Sequence, residues 1–221
     1  MRYFPAFVLS AALLAAVARA EPAPAEKPAP AADPAEIGSL DALLARFGRI
    51  AGMRARYQEE KRIALLKRPL VSEGRIEFAR PGLLLRKTEK PEASAVLLDR
   101  DNLRMADASG TRTIALQESP LVRNFVQTFV HVLSGDRAAL DKLYQMSFAK
   151  LAGGAWRLQL VPRGADLSRI VKRATLEGTG ATVSQMTLEE ENGDSTVLRF
   201  SDVDLNVHYD AAARARIFRL P

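Results

Sequence analysis

The most constraining feature of this chain is a series of short alternating segments between residues 57 and 91. In the segment 75–78, apolar and charged residues alternate, so Ile76 and Phe78 fall on one face of an extended strand. Turn-forming residues at 99–102 separate two of the segments that follow. Because such strands have one apolar face, this region predicts an antiparallel sheet whose apolar side forms a concave surface.

A helix is predicted over residues 39–53, immediately before the sheet region. Its apolar residues recur every three or four positions and form one stripe: Leu40, Leu43, Leu44, Phe47 and Ile50. Ser39 is the predicted N-cap, because a serine hydroxyl accepts a hydrogen bond from a free backbone N–H group of the first turn. Gly52 is the predicted stop signal of this helix.

A second helix is predicted to begin at Ser119-Pro120 and to end at Ser134-Gly135. Its apolar face is formed by Val122, Phe125, Val126, Phe129, Val130 and Leu133. Asp136 is predicted to cap a short third helix that runs through Leu143. Helices and strands are segregated along the sequence, which predicts an α+β fold with an antiparallel sheet.

Strands are predicted to resume after the second helix. The alternating run 156–160 follows a Gly-Gly turn, and further strand patterns cover residues 170–176 and 183–190. Asn192-Gly193 predicts a hairpin, with residues 196–200 as the return strand.

The N-terminal residues 1–20 have the layout of a secretory signal peptide, with an apolar stretch at 7–17 before the small-residue cleavage site 18–20. That stretch is shorter than the roughly 20 residues that a membrane-spanning helix needs. Residues 21–36 are rich in Ala and Pro and are predicted to be a linker. The sequence therefore predicts export to the periplasm of a single domain, residues 37–221.

The residue types that usually carry catalysis are sparse. The chain has no cysteine, which excludes disulfides, thiolate metal sites, cysteine nucleophiles and acylation of the protein on a cysteine. Its two histidines, His131 and His208, have no metal-ligand spacing. The net charge of +6 is scattered, and export disfavours a nucleic-acid partner. We therefore predict no catalytic residues, no metal and no cofactor.

Two carboxylate clusters, Glu59-Glu60 and Glu189-Glu190-Glu191, could serve as an acid and a base or as calcium ligands. Neighbouring residues of a strand point to opposite faces, which weakens such a pairing. The prediction is that these carboxylates are solvated charges. An exported chain with an apolar sheet and no visible catalytic group is typical of a carrier.

Three segments carry a resemblance to a known family. The first is residues 53–59, which follow the opening helix with an aromatic residue and a glutamine. The second is residues 72–84, where a glycine and an alternating strand precede Arg80-Pro81 and an apolar run. The third is residues 200–218, which are similar to the closing strand region. Over about residues 40–218 the chain resembles the LolA-like family of periplasmic carriers for outer-membrane lipoproteins.

The resemblance implies an open half-barrel of antiparallel strands, with helices covering an apolar cavity that takes acyl chains. The expected cavity residues are Leu44, Phe47, Ile76, Phe78, Leu84, Phe125, Phe129, Trp156 and Leu158. The helix over residues 120–133 is the candidate lid. The resemblance also implies that Arg80 latches this lid by hydrogen bonds to helix backbone; the alternative is an arginine that extends from the sheet edge into water.

The partners implied are an acylated lipoprotein or other lipid cargo, an inner-membrane lipoprotein exporter and an outer-membrane receptor. We expect a monomer. Many family members have an aromatic residue shortly after Arg-Pro, where this chain has residues 83–86, Leu-Leu-Leu-Arg. This departure favours the alternative of a non-protein lipid cargo, such as a fatty acyl, polyketide-like or glycolipid product. A lipid enzyme and a binding module without lipid are the remaining alternatives.

Overall fold

The computed structural model describes residues 36–220, so the predicted signal peptide and nearly all of the predicted linker lie outside the described residues. Within 36–220 the chain forms eleven strands and five α-helices. The helices are α1 Leu40–Phe47, α2 Pro120–Ser134, α3 Arg137–Leu143, α4 Ala165–Ser168 and α5 Ala211–Ile217. The strands are β1 Gly52–Arg62, β2 Leu70–Ala79, β3 Leu83–Lys90, β4 Ser94–Asp99, β5 Asn102–Asp107, β6 Gly110–Ala115, β7 Tyr144–Lys150, β8 Ala155–Pro162, β9 Val171–Thr179, β10 Thr182–Glu190 and β11 Ser195–Asp204.

All eleven strands belong to one open antiparallel sheet in the order β6-β5-β4-β3-β2-β1-β11-β10-β9-β8-β7. The first and last strands join in the middle, where β1 pairs with both β2 and β11. Each half of the sheet is a meander, since each strand pairs with its sequence neighbours. The predicted α+β fold and half-barrel arrangement are confirmed.

Helix α2 crosses the concave side of the sheet because of this strand order. Strands β6 and β7 form the two opposite edges, so the chain that joins them must pass from one edge to the other. That connection contains α2 and α3. One stripe of α2 packs on the β3–β6 half of the sheet through Val122, Val126 and Val130. A second stripe packs against the main core through Leu121, Phe125 and Phe129.

The first helix is shorter than predicted. It begins after the predicted N-cap, since the Ser39 side chain accepts a hydrogen bond from Ala42 N, but it ends at Phe47 rather than at residue 53. Gly52 does not stop the helix but begins β1. A Cβ at this position would lie 2.5 Å from Val207 O, so the C-terminal segment approaches too closely for any other residue.

The second helix has the predicted bounds, and Gly135 follows it in the left-handed conformation with φ of 66°. Ser119 occupies the N-cap position, but its side chain makes no capping hydrogen bond. The third helix begins as predicted, because Asp136 Oδ1 accepts a hydrogen bond from Ala139 N at 3.0 Å.

The closing segment 200–218 is only partly a strand. Strand β11 ends at Asp204, and the chain then forms α5, which Asp210 caps by accepting a hydrogen bond from Ala213 N. Tyr209 and Phe218 flank this helix and pack edge to face, with ring centroids 5.2 Å apart. These rings belong to a separate small core with Ala79 and Leu85, so α5 covers the outer side of the sheet.

Gly135 provides a test of how α1 and α2 are joined. A Cβ at Gly135 would lie 2.0 Å from the carbonyl oxygen of Leu44 in α1. Gly135→Ala is expected to lower the free energy of unfolding by about 1 to 2 kcal/mol for the left-handed backbone, and by about 1 to 3 kcal/mol more for the clash. Urea unfolding followed by circular dichroism measures the change.

Gly153→Ala is the matched control. Gly153 has a similar φ of 69°, but no atom lies within 4 Å of the Cβ position, so only the backbone cost applies. Equal losses in the two variants would contradict a tight contact between the two helices.

Candidate functional site

A cavity of about 410 Å³ lies between the concave face of the sheet and helix α2. Five of the residues predicted from the sequence line it: Phe47, Ile76, Leu84, Phe125 and Phe129. They come from helices α1 and α2 and from the neighbouring strands β2 and β3, so helices and sheet both contribute to the wall. Most of the remaining wall is also aliphatic or aromatic, which suits the binding of an apolar ligand.

The other four predicted residues lie in the packed core around the cavity and do not line it. Leu44, Trp156 and Leu158 are buried in the main core, where α1 covers the β8 side of the sheet. The rings of Phe47 and Trp156 meet edge to face at 6.0 Å, and Trp156 Nε1 donates to Gly180 O at 2.9 Å. Phe78 is fully buried between its strand partners Met53 and Leu84.

Several lining residues come from the other half of the sheet and were not predicted. On β10 and β11 they include Met186, Leu188 and Leu198. Met186 and Leu188 alternate with polar residues of β10, so the alternation in residues 183–190 was the available signal. The sequence did not show that this face and the face of Ile76 enclose one cavity, because that depends on the pairing of β1 with β11.

A buried hydrogen bond connects α2 to β7, one of the two edge strands of the sheet. Thr128 Oγ1 lies 2.7 Å from Tyr144 Oη and 2.7 Å from the carbonyl oxygen of Asn124. Burial raises the pKa of Tyr144, so its hydroxyl stays protonated and can donate. This contact fixes the rotation of α2 about its axis, which directs Phe125 and Phe129 into the cavity.

The guanidinium of Arg80, which follows β2, lies where the carboxyl ends of α1 and α2 meet. Its Nε and Nη2 donate to carbonyl oxygens at and after the end of α1 at 2.7 to 3.1 Å: those of Phe47, Gly48 and Ile50. Its Nη2 also donates to two carbonyl oxygens at the end of α2, at 3.5 and 3.4 Å: those of Leu133 and Ser134. The carboxyl end of a helix carries partial negative charge, so a cation is favourable there.

One end of the concave face is charged, and the prediction that the two carboxylate clusters are solvated is wrong for two of their residues. Glu59 and Glu190 are 4% and 7% exposed. Arg86 Nη2 donates to Glu59 Oε2 at 2.9 Å, and Lys61 Nζ donates to Glu190 Oε1 at 3.3 Å. Burial opposes the charge of Arg86, but Glu59 and Tyr57 outweigh it and raise the pKa of the guanidinium.

The alternation of side chains along a strand explains why some of these carboxylates are buried and others are not. Alternate residues of β1 face the cavity side, so Glu59 and Lys61 point inward and Glu60 points outward. Glu60 pairs with Arg62 on the outer face, and Glu189 pairs with Arg173 in the same way. The clusters are therefore divided between the two faces of the sheet.

Two further features bear on the chemistry of the site. Among residues 36–220, no three His, Asp or Glu side chains are grouped so that they could hold a metal ion. In the same part of the chain, no helix has both the length and the apolar character needed to cross a membrane.

His131 lies at the end of α2, where its Nδ1 is 3.4 Å from Asp136 Oδ2.

The geometry first defines a class of protein. An open antiparallel sheet that curves around an apolar cavity, with a helix across its concave side, is a half-barrel that binds an apolar ligand. The chain belongs to the LolA-like family: the family described as outer membrane lipoprotein carrier protein LolA-like matches residues 31–216. Members of this family are periplasmic carrier or binding proteins rather than enzymes, and membership points to lipid or lipoprotein binding.

Solved structures with similar folds have low sequence identity to this chain. A LolA superfamily protein from Nitrosomonas europaea is 11% identical, with a TM-score of 0.46 over 83% of this chain and 99% of that one. A DUF1329 family protein from Desulfovibrio piger is 12% identical, with a TM-score of 0.48 over 81% and 96%. A chain of the Pseudomonas aeruginosa MucA/MucB complex is 12% identical, with a TM-score of 0.46 over 78% and 59%. No curated protein matches the chain significantly.

Replacing Arg80 tests whether its contacts hold α2 against the sheet. Arg80→Met keeps a long side chain but removes every hydrogen bond to the helix ends. Amide hydrogens of α2 are expected to exchange about tenfold faster, because hydrogen bonds to a charged group contribute about 1.5 to 3 kcal/mol. Hydrogen exchange followed by mass spectrometry measures the rates by segment.

The control for this experiment is Arg157→Met. Arg157 Nε donates to Glu177 Oε1 at 2.6 Å on the outer face of the sheet, away from both helices. This variant should leave exchange in α2 unchanged. Wild-type exchange in α2 of the Arg80 variant would show that Arg80 does not act as a latch.

Proposed function

We propose that this protein is a periplasmic carrier that binds acyl chains in its cavity and ferries lipoproteins from the inner to the outer membrane. The observation that carries the proposal is the apolar cavity of about 410 Å³ beneath α2. Its volume is in the range of small-molecule sites, about 300 to 1,000 Å³. Each methylene that leaves water for such a cavity contributes about 0.8 kcal/mol, so part of one acyl chain is enough for appreciable binding.

The proposed latch explains how cargo could be released. The contacts of Arg80 with the α1 end are short, at 2.7 Å to Gly48 O and Ile50 O, whereas those with α2 are 3.4 Å or longer. Geometry of this kind makes the α2 contacts the weaker ones. In our proposal α2 separates from Arg80 while α1 stays in place, which opens the cavity. The apolar wall gives little specificity, so transfer depends on a competing site in the receptor.

The remaining parts of the proposal follow from the sequence and the family. Residues 1–20 direct export and are removed, and residues 21–36 form a linker before the carrier domain 37–221. An inner-membrane lipoprotein exporter supplies the cargo and an outer-membrane receptor accepts it. The protein acts as a monomer and as a chaperone for acyl chains rather than as an enzyme.

A second candidate function is the carriage of a non-protein lipid. The observation that favours it is the segment 83–86, where Leu84 and Arg86 both line the cavity and no aromatic residue is present. A wall that differs from that of many family members favours a different cargo. Both functions use the same cavity. They differ in the group that the acyl chain is attached to, which is a protein in the first function and a non-protein lipid head in the second.

Native mass spectrometry of the protein purified from its own periplasm distinguishes these functions. An acylated protein bound to the carrier would support lipoprotein transport. A bound small lipid would support the second function, and its mass would identify the cargo class. A protein that is empty and also fails to take up acyl chains from lipid vesicles would contradict both.

A charge placed in the cavity wall tests the site directly. Ile76 lies on the cavity face of β2, so Ile76→Glu would place a carboxylate against the acyl chain. We expect the affinity for a fluorescent fatty-acid probe to fall at least about tenfold, because a buried carboxylate without a partner is costly. Fluorescence titration measures the dissociation constant.

Val71→Glu is the matched control, since Val71 is on the same strand but faces outward and is 51% exposed. Its affinity for the probe should equal that of the wild type. If Ile76→Glu also bound the probe with wild-type affinity while remaining folded, acyl chains would not occupy this cavity.

A further inference from the structure

The cavity wall is not apolar throughout. At one end the concave face carries four ionisable side chains that form two ion pairs: Glu59 with Arg86, and Lys61 with Glu190. Arg86 and Glu190 line the cavity itself, and so does the neighbouring Asn192. These groups come from β1, β3, the end of β10 and the β10–β11 turn, so the fold brings them together from distant parts of the sequence.

Stability alone does not explain these charges. Two buried ion pairs are often no better than apolar side chains of the same volume, because removing the charges from water is costly. Neighbouring positions on the same face of these strands are apolar, as at Ala55 and Leu188. An apolar continuation of the wall would therefore fit the sheet, and a function for the polar end is the simpler explanation.

The composition of the cluster indicates what it would bind. It contains two cations and two carboxylates, and Arg169, the other charged lining residue, lies 3.9 Å from Asp166, so the formal charges balance. A free carboxylate or phosphate would approach Arg86 but would also meet Glu190. An uncharged group that both donates and accepts hydrogen bonds fits both residues. Asn192 also lines the cavity; its amide nitrogen donates to Asp194 Oδ2 and its oxygen accepts from Asp194 N.

We propose that this end of the cavity is a headgroup subsite for a neutral acyl amphiphile. The acyl chain lies along the apolar wall, and an uncharged hydrogen-bonding head, such as glycerol hydroxyls or an amide, contacts Arg86, Glu190 and Asn192. The proposal rests on the proposed function, because it assigns a head to the cargo whose chain occupies the cavity. The subsite would give the cavity selectivity among ligands with different heads, because the apolar part of the wall supplies little.

Matched ligands test the subsite. Monomyristoylglycerol, methyl myristate and myristate share one acyl chain, and they differ in having hydroxyl donors, no donor, and a negative charge. Each competes with a fluorescent fatty-acid probe for the full-length mature protein. Monomyristoylglycerol is expected to bind about tenfold more tightly than either of the others, since a hydrogen bond to a charged group typically contributes about that factor.

Variants test whether the preference for monomyristoylglycerol depends on the two ion pairs. Lys61→Met combined with Glu190→Leu removes one ion pair without leaving a buried charge, and it should abolish the preference while methyl myristate binds as before. Glu190→Gln keeps the size of the side chain and should reduce the preference to a few-fold. Thermal unfolding verifies that each variant is folded, and the single variant carries the test if the double variant is not.

Glu189→Gln is the control, because Glu189 is adjacent in sequence but pairs with Arg173 on the outer face at 2.6 Å. It should keep the full preference. Equal binding of the three ligands by the wild type, tighter binding of myristate, or an unchanged preference in the cavity variants would overturn the subsite and leave the carrier function standing. Failure of all three ligands and of the probe to bind would overturn both.

Discussion

The contact between Arg80 and the helix ends joins the sheet to both α1 and α2. The sheet has two separate edges, and α2 lies in the connection that runs between them across the concave face. One guanidinium at the end of β2 meets the carboxyl ends of both α1 and α2. Gly135 allows the two helices to approach within a distance that a side chain would prevent. The Arg80 contacts join α2 to the end of the strand that carries Ile76.

The same arrangement leaves space that the protein does not fill. Helix α2 packs on both halves of the sheet, but a straight helix cannot follow the curved surface along its whole length. Wall atoms beside an empty space lose dispersion contacts that a packed core would have. On the proposed function, a bound acyl chain would restore those contacts, so ligand binding and closure of α2 would stabilise each other. Thr128 and Tyr144 keep the helix in one rotation while this occurs.

Local patterns in the sequence were sufficient for α2 and for most strands, because these depend on periodicity and caps. They were not sufficient for the end of α1, since Ile50 continues the helical spacing although the chain has already turned. The burial of Glu59 and Glu190 depends on partners 27 and 129 residues away, Arg86 and Lys61. No local pattern reports strand register at that separation.

Strand β1 relates the two specialised ends of the cavity. It begins beside the junction of α1 and α2, where Arg80 N donates to Ala51 O at 3.1 Å, and near its other end it carries Lys61 of the charged cluster. The apolar wall lies between these ends, along a strand that rises about 3.3 Å per residue. On the proposed function, an acyl chain whose head contacts Glu190 therefore extends towards Arg80 and the ends of α1 and α2. Opening at Arg80 would then expose the tail first, while the head remains bound until the receptor replaces its hydrogen bonds.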